Sequence, residues 1–247
     1  MKWFISFFLF FALSSTLLAQ IPYAKKLKID GDLSDAAWQN IAWSSPFVDI
    51  RGEDFPKPEW QTQIKMAWTK KHLLVAAKIQ DRHLWTTLTQ DETELYHQDV
   101  FELFIDPHAD GLDYYELEIN AHGTTWDLAL NKPYDAGGVA NSDWNIDGLK
   151  KGISRQGTLN NPNDIDEGWT LELAIPWTAF FTKKKCTKRQ LRKYVFAINF
   201  LRVDWDLDKQ NGVYQKQLDG AHFWVWQPQG KINMHLPKKW QILTLKK

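Results

Sequence analysis

Gln98-Asp99-Val100-Phe101-Glu102-Leu103-Phe104-Ile105-Asp106-Pro107 is the stretch on which the fold turns. Phe101, Leu103 and Ile105 share one face, while Glu102 and Asp106 take the other. That two-residue period marks a strand with one buried and one wetter face. Working outward, the period repeats. Tyr115, Leu117 and Ile119 oppose Glu116 and Glu118; Trp126, Leu128 and Leu130 oppose Asp127. Trp169, Leu171, Leu173 and Ile175 oppose Thr170 and Glu172. Residues 63–68 and 73–79 read as a hairpin joined by Thr69-Lys70-Lys71-His72. Residues 194–203 are apolar on both faces, as a central strand would be, and 240–245 form a last strand. Helical pattern is scarce: Ser34 caps a short turn through Trp38, and Pro176 opens another near Ala179. The expectation is an all-β chain, an antiparallel β-sandwich with immunoglobulin- or jelly-roll-like layers and a few short helical turns.

The N-terminus reads as a secretory signal peptide over residues 1–19. Lys2 precedes an apolar run from Trp3 to Leu13, and Leu17-Leu18-Ala19 ends it on a small residue. The run is shorter than the about 20 residues of a membrane span. No Cys follows it to carry a lipid anchor. The mature chain, residues 20–247, is expected to be one secreted or periplasmic domain. Its net charge of −1 gives no electrostatic reason to seek nucleic acid or membrane. Cys186 is the single cysteine, in a run of lysines, so no internal disulfide forms and the core must hold the fold. The chain has 14 Trp, more than a core easily absorbs, because each buried indole N–H needs a partner.

Glu102, Glu116, Glu118 and Glu172 fall on polar strand faces. Paired across a cleft they would suit a glycosidase, but acidic residues are also the normal dress of half-exposed strands. No G-x-S-x-G elbow or Walker loop is present, and the seven His lack zinc spacing. Two oxygen-rich loops are candidate calcium sites: Asp106, Asp110 and Asp113 around Gly111, and residues 160–167. Asp and Asn also form ordinary turns. The aromatic excess fits sugar binding, because pyranose C–H faces stack on rings while hydroxyls need carboxylates, amides or Arg. Trp85, Tyr96, Trp144, Trp205, Trp224 and Trp226 are the candidate rings.

In order and spacing these motifs resemble the carbohydrate-binding module family 9-like domains of the DOMON-like β-sandwich group. The resemblance begins at Ile29-Asp30-Gly31-Asp32-Leu33 with Trp38 and runs through the 64–79 hairpin to the opening stretch. It continues through Tyr114-Tyr115-Glu116-Leu117-Glu118-Ile119-Asn120, Ile198-Asn199-Phe200-Leu201-Arg202-Val203 and Trp226-Gln227-Pro228-Gln229-Gly230. It implies a non-catalytic binder of oligo- or polysaccharide with structural calcium. The family's modules are appended to glycoside hydrolases; behind its own signal peptide this one is expected to be a free-standing binder or to act with glycoside hydrolases encoded separately. The implied sugar site has Tyr96 and Trp205 as sandwiching rings, Glu102 as the motif acid, Glu116 as its partner on the next strand and Arg202 nearby, with Trp85 as a further ring. Some DOMON-like relatives carry b-type haem, which here would need Met66 or Met234 as an axial ligand. A glycan-active hydrolase is the third reading.

Overall fold

The computed structural model describes residues 19–25, 27–181, 191 and 194–246. Cys186 and all of the expected signal peptide but Ala19 lie outside the described residues. Two sheets face each other. The smaller has four strands in the order β3 (Thr62–Trp68), β4 (His72–Gln80), β10 (Gly168–Pro176) and β9 (Lys150–Gln156), all antiparallel. The larger is built on β11 (Val195–Gln210). One edge of β11 pairs with β5 (Val100–Asp106), which leads to β6 (Tyr114–Ile119), β7 (Thr125–Leu130) and β8 (Ala140–Asn141). Its other edge is shared by β13 (Gln241–Leu245) and β12 (Val213–Val225). β1 (Ala19–Ile21) runs parallel to β13, and β2 (Val48–Asp49) pairs with β12. The all-β sandwich expected from alternation is what the chain forms.

The inward faces of both sheets make the main core, where Phe101 stacks on Phe200 at 5.8 Å between ring centroids. Both outer faces are also covered, which alternation alone did not indicate. Trp38, in α1 (Ala36–Gln39), lies with Ala67, Leu74 and Ala174 on the outside of the smaller sheet. Its indole N–H donates to Glu172 Oε1 at 2.7 Å. Glu172 Oε2 accepts from the backbone N–H groups of Asp30 and Gly31 at 2.9 and 2.8 Å. The Asp-Gly…Trp motif is therefore a clasp on one buried carboxylate. Gly31 is obligatory there: φ is +88°, and a Cβ would sit 2.5 Å from the Ile153 carbonyl carbon. Asp35, rather than Ser34, occupies the cap position of α1, with no side-chain capping bond. Pro176 opens α2 (Trp177–Phe180) as its φ allows.

Five strands are absent from the alternation reading: the short β1, β2 and β8, and the longer β9 and β12. β9 has the sequence KKGISRQ, and much of β12 is polar. Both lack a continuous apolar face because β9 is an edge strand and β12 extends, with β11, beyond the body as an exposed hairpin.

Candidate functional site

Alternation sends Glu102, Glu116 and Glu118 to the outer face of the larger sheet. Glu102 pairs with Leu201, which packs there, and lies directly across from Glu118. Glu116 is opposite Phe104, the next outer residue of β5. This was the face expected to be wetter, yet the three acids are only 3, 6 and 1% exposed. Leu95, Met234 and Trp240 close over Val100, Phe104 and Tyr114 and make a second core around them.

The segment that carries Leu95, from Thr86 to Gln98, is held by polar side chains. Gln98 Oε1 accepts from the Thr86 hydroxyl and from the N–H groups of Thr87 and Leu88. Asn120 Nδ2 donates to Thr86 Oγ1 and to the Leu88 carbonyl. This anchoring buries Leu95 and turns the next residue, Tyr96, outward from the 3-10 turn Leu95–His97. Tyr96 is 40% exposed, and its ring centroid lies 6.1 Å from that of Trp126. Tyr134 is 46% exposed and stands edge-on to His235, which bonds the Tyr114 hydroxyl at 3.0 Å. The charge of Glu118 acts on both Tyr96 and Tyr134. Exposed Tyr96 and Tyr134 thus border a buried acidic cluster.

The cluster is electrostatically unusual. Ligating oxygens of Glu102, Glu116 and Glu118 lie within 4.8 Å of one another. Burial, and then the Glu116 charge, hold Glu102 well above the usual carboxylate range. Burial lifts Glu116 to about 8, against a hydrogen bond with Glu118. Burial and the other two acids raise Glu118, against the amides of Tyr96 and Leu95. Glu118 Oε2 is enclosed and has no hydrogen-bond partner.

Arg202 is not part of this face. On β11, Leu201 and Val203 point outward, so Arg202 points between the sheets beside Phe101. There its guanidinium donates to the Gln80 carbonyl and to Asp204, and pairs with Asp81 at 3.2 Å. Asp99 adds a third acid, with Oδ1 accepting the Trp205 N–H at 2.8 Å. Burial first, then Asp204 and Asp81, raise Asp99 well above its ordinary range. Burial raises Asp204 to about 6, with Arg202 opposing. Asp81, Asp99 and Asp204 line a cavity of about 590 Å³ that also meets Trp60, Trp205 and Trp224.

Trp205 does lie on the outer face, but Lys216 Nζ sits 3.9 Å over its ring and donates to the His97 carbonyl. Trp85 is 8% exposed and borders a separate cavity with Glu94, Gln98 and Tyr214. Of the sequence candidates, Tyr96, Glu102 and Glu116 come together. Glu118, Trp126, Tyr134 and His235 join them. Glu118 and Trp126 were visible in strand register. Tyr134 carried no signal, because its approach depends on the loop after β7.

The Asp106 loop folds on itself. Asp106 Oδ1 accepts from the N–H groups of His108 and Ala109, Oδ2 accepts from Gly111, and Asp110 Oδ1 accepts from Leu112. Among the described residues, the two acidic groups whose ligand atoms gather within 4.8 Å contain none of Asp106, Asp110 and Asp113. The carboxylates of these three residues are not gathered at one point. The 160–167 loop is likewise self-bonded, with Asp166 accepting the Leu84 and Thr158 N–H groups. Met66 packs in the inter-sheet core and Met234 in the outer one.

Solved structures share this architecture. A candidate carbohydrate-binding protein from Bacteroides uniformis ATCC 8492 superposes with a TM-score of 0.66 at 19% identity, over 93% of this chain and 98% of that one. A carbohydrate binding module family 9 from Caldicellulosiruptor kristjanssonii, in complex with cellotriose, gives 0.59 at 16% identity over 93 and 94%. The same module in complex with glucose gives 0.60 at 16% identity over 93 and 96%. A search of curated proteins finds no match. The family model for carbohydrate family 9 binding domain-like sequences matches residues 29–221, and with that span and this sandwich the chain belongs to that family.

Proposed function

We propose that this chain is an exported, non-catalytic carbohydrate-binding protein that engages saccharide on the outer face of the larger sheet. The observation that carries the reading is that exposed Tyr96 and Tyr134 both border buried Glu118, which is clustered with Glu102 and Glu116. A sugar ring lying on Tyr96 would present its hydroxyls toward the acids, matching apolar faces to rings and polar edges to carboxylates. Fold neighbours solved with cellotriose and glucose make β-glucans the first class to test. Trp126 lies beside Tyr96, the two ring planes 32° apart, and adds a second aromatic surface there.

Export through residues 1–19 would deliver the protein to the periplasm or outside the cell, where polysaccharides are met. There it would assist their degradation or uptake alongside separately encoded glycoside hydrolases. A hydrolytic role for the acids is disfavoured by their placement. Glu102 and Glu118 are direct cross-strand neighbours in one enclosed cluster, whereas glycosidase carboxyls flank the scissile bond from opposite sides.

Depletion of the protein from solution by insoluble cellulose and other glucans tests the reading. Binding to at least one glucan, reversed by soluble oligosaccharide, is expected. Full recovery of folded protein from every polysaccharide would contradict it.

A further inference from the structure

We propose that the groove between Trp43 and Trp60, on the outer face of the smaller sheet, is a second binding site, for saccharides that carry a carboxylate. Strand alternation builds its floor. On β4, Leu73, Val75 and Ile79 pack inward, so Lys78 points out, and its register partner on β10 is Thr170. The Trp38 segment covers Ala67, Leu74, Ala76 and Ala174 on that face. Beyond this cover, Lys78 and Thr170 line a cavity of about 680 Å³ together with Leu33, Trp43, Trp60 and Arg82. That volume suits a small organic ligand.

Two of the 14 Trp are placed here rather than inside a core. Trp43 packs against none of the three apolar cores, and the Lys65 ammonium lies 4.5 Å over its ring. Trp60 only borders the inter-sheet core, with the Arg82 guanidinium 5.4 Å over its ring. Core indoles behave differently. Trp38, Trp68, Trp177 and Trp240 each donate their N–H to a protein acceptor. The Trp43 and Trp60 N–H groups have no acceptor among the described residues and are not enclosed. Half-buried rings with free N–H groups offer an apolar face and a donor together, the combination a pyranose needs.

Charge selects the kind of sugar. Lys78 and Arg82 pair with no carboxylate among the described residues. Of three acids on the rim, Asp81 answers Arg202 and Asp166 accepts two backbone N–H groups, which leaves Glu167. Two free cations against one acid, beside indole faces, match a hexuronate. Arg82 would fork onto its carboxylate and Lys78 would act as a point charge. The Tyr96 face is the reverse, with three clustered carboxylates and no Lys or Arg paired to them among the described residues. The two sites lie on opposite outer faces of the sandwich, so one molecule would hold two glycan chains at once. This site goes beyond the Tyr96 reading and does not rest on it.

The test is calorimetric titration of oligogalacturonate into the mature chain, repeated with oligomannuronate. At least one of them is expected to saturate a single site, more weakly as salt is raised, because the contact is partly ionic. Trp43→Ala and Lys78→Glu should each weaken it at least about tenfold while leaving cello-oligosaccharide binding unchanged. Lys78 is exposed, so Lys78→Glu keeps the test if Trp43→Ala fails to fold. No saturation by either uronate, undiminished affinity in the folded variants, or displacement of uronate by cello-oligosaccharide overturns the proposal. Uronate bound without any cello-oligosaccharide bound keeps this site and removes the Tyr96 reading; the converse removes this site alone.

Discussion

Glu172 and Glu118 are both buried glutamates on sheet faces, and they differ in what surrounds them. Glu172 receives the Trp38 indole and two backbone N–H groups, so it is a structural anchor. Removing it with Glu172→Ala strands three donors and should cost about 3 kcal/mol or more, read as a lowered urea midpoint. Tyr96 is the opposite kind of residue. Its ring is exposed, so Tyr96→Ala should leave the urea midpoint almost unchanged while weakening saccharide binding at least about tenfold, near the loss of one stacking contact. A large stability loss would mean the ring is packing rather than platform.

At the scale of elements, strand alternation decides which residues can meet. It was legible for β5, β6 and β10, and it correctly grouped Glu102 with Glu116. It also forbids Arg202, which a resemblance in chain order had placed beside them, because odd and even positions of β11 face opposite ways. Burial of the acidic face was not legible. It comes from Leu95, Met234 and Trp240, which arrive from distant segments and are fixed by polar bonds such as those of Gln98. β9 and β12 were illegible because an edge and a protruding hairpin need no apolar stripe. The inward Arg202 also ties the two sheets together through Gln80. Arg202→Met should leave Asp81, Asp99 and Asp204 uncompensated and destabilise the fold by about 3–5 kcal/mol. Sugar affinity of the folded fraction should not change. Loss of affinity at unchanged stability would return Arg202 to the binding site.

For the whole molecule, both sheets are buried on two faces, which is how a chain with one cysteine dispenses with disulfides. The cover over the larger sheet should respond to acid. Burial lowers His235 from 6.5 to about 4, so the folded state binds fewer protons than the unfolded state between those values. Stability from this group is complete above about pH 6.5 and is lost as pH falls toward 4. The difference in urea midpoint between the wild type and His235→Gln should therefore shrink over that window; a difference independent of pH would contradict the assignment. The central claim is that the face carrying Tyr96, Glu102 and Glu116 binds saccharide. Calorimetric titration of cello-oligosaccharides into the mature chain and its Tyr96→Ala variant tests it most directly. The account predicts one saturable site in the wild type and none, or one at least about tenfold weaker, in the variant. Equal affinity in both proteins would contradict it.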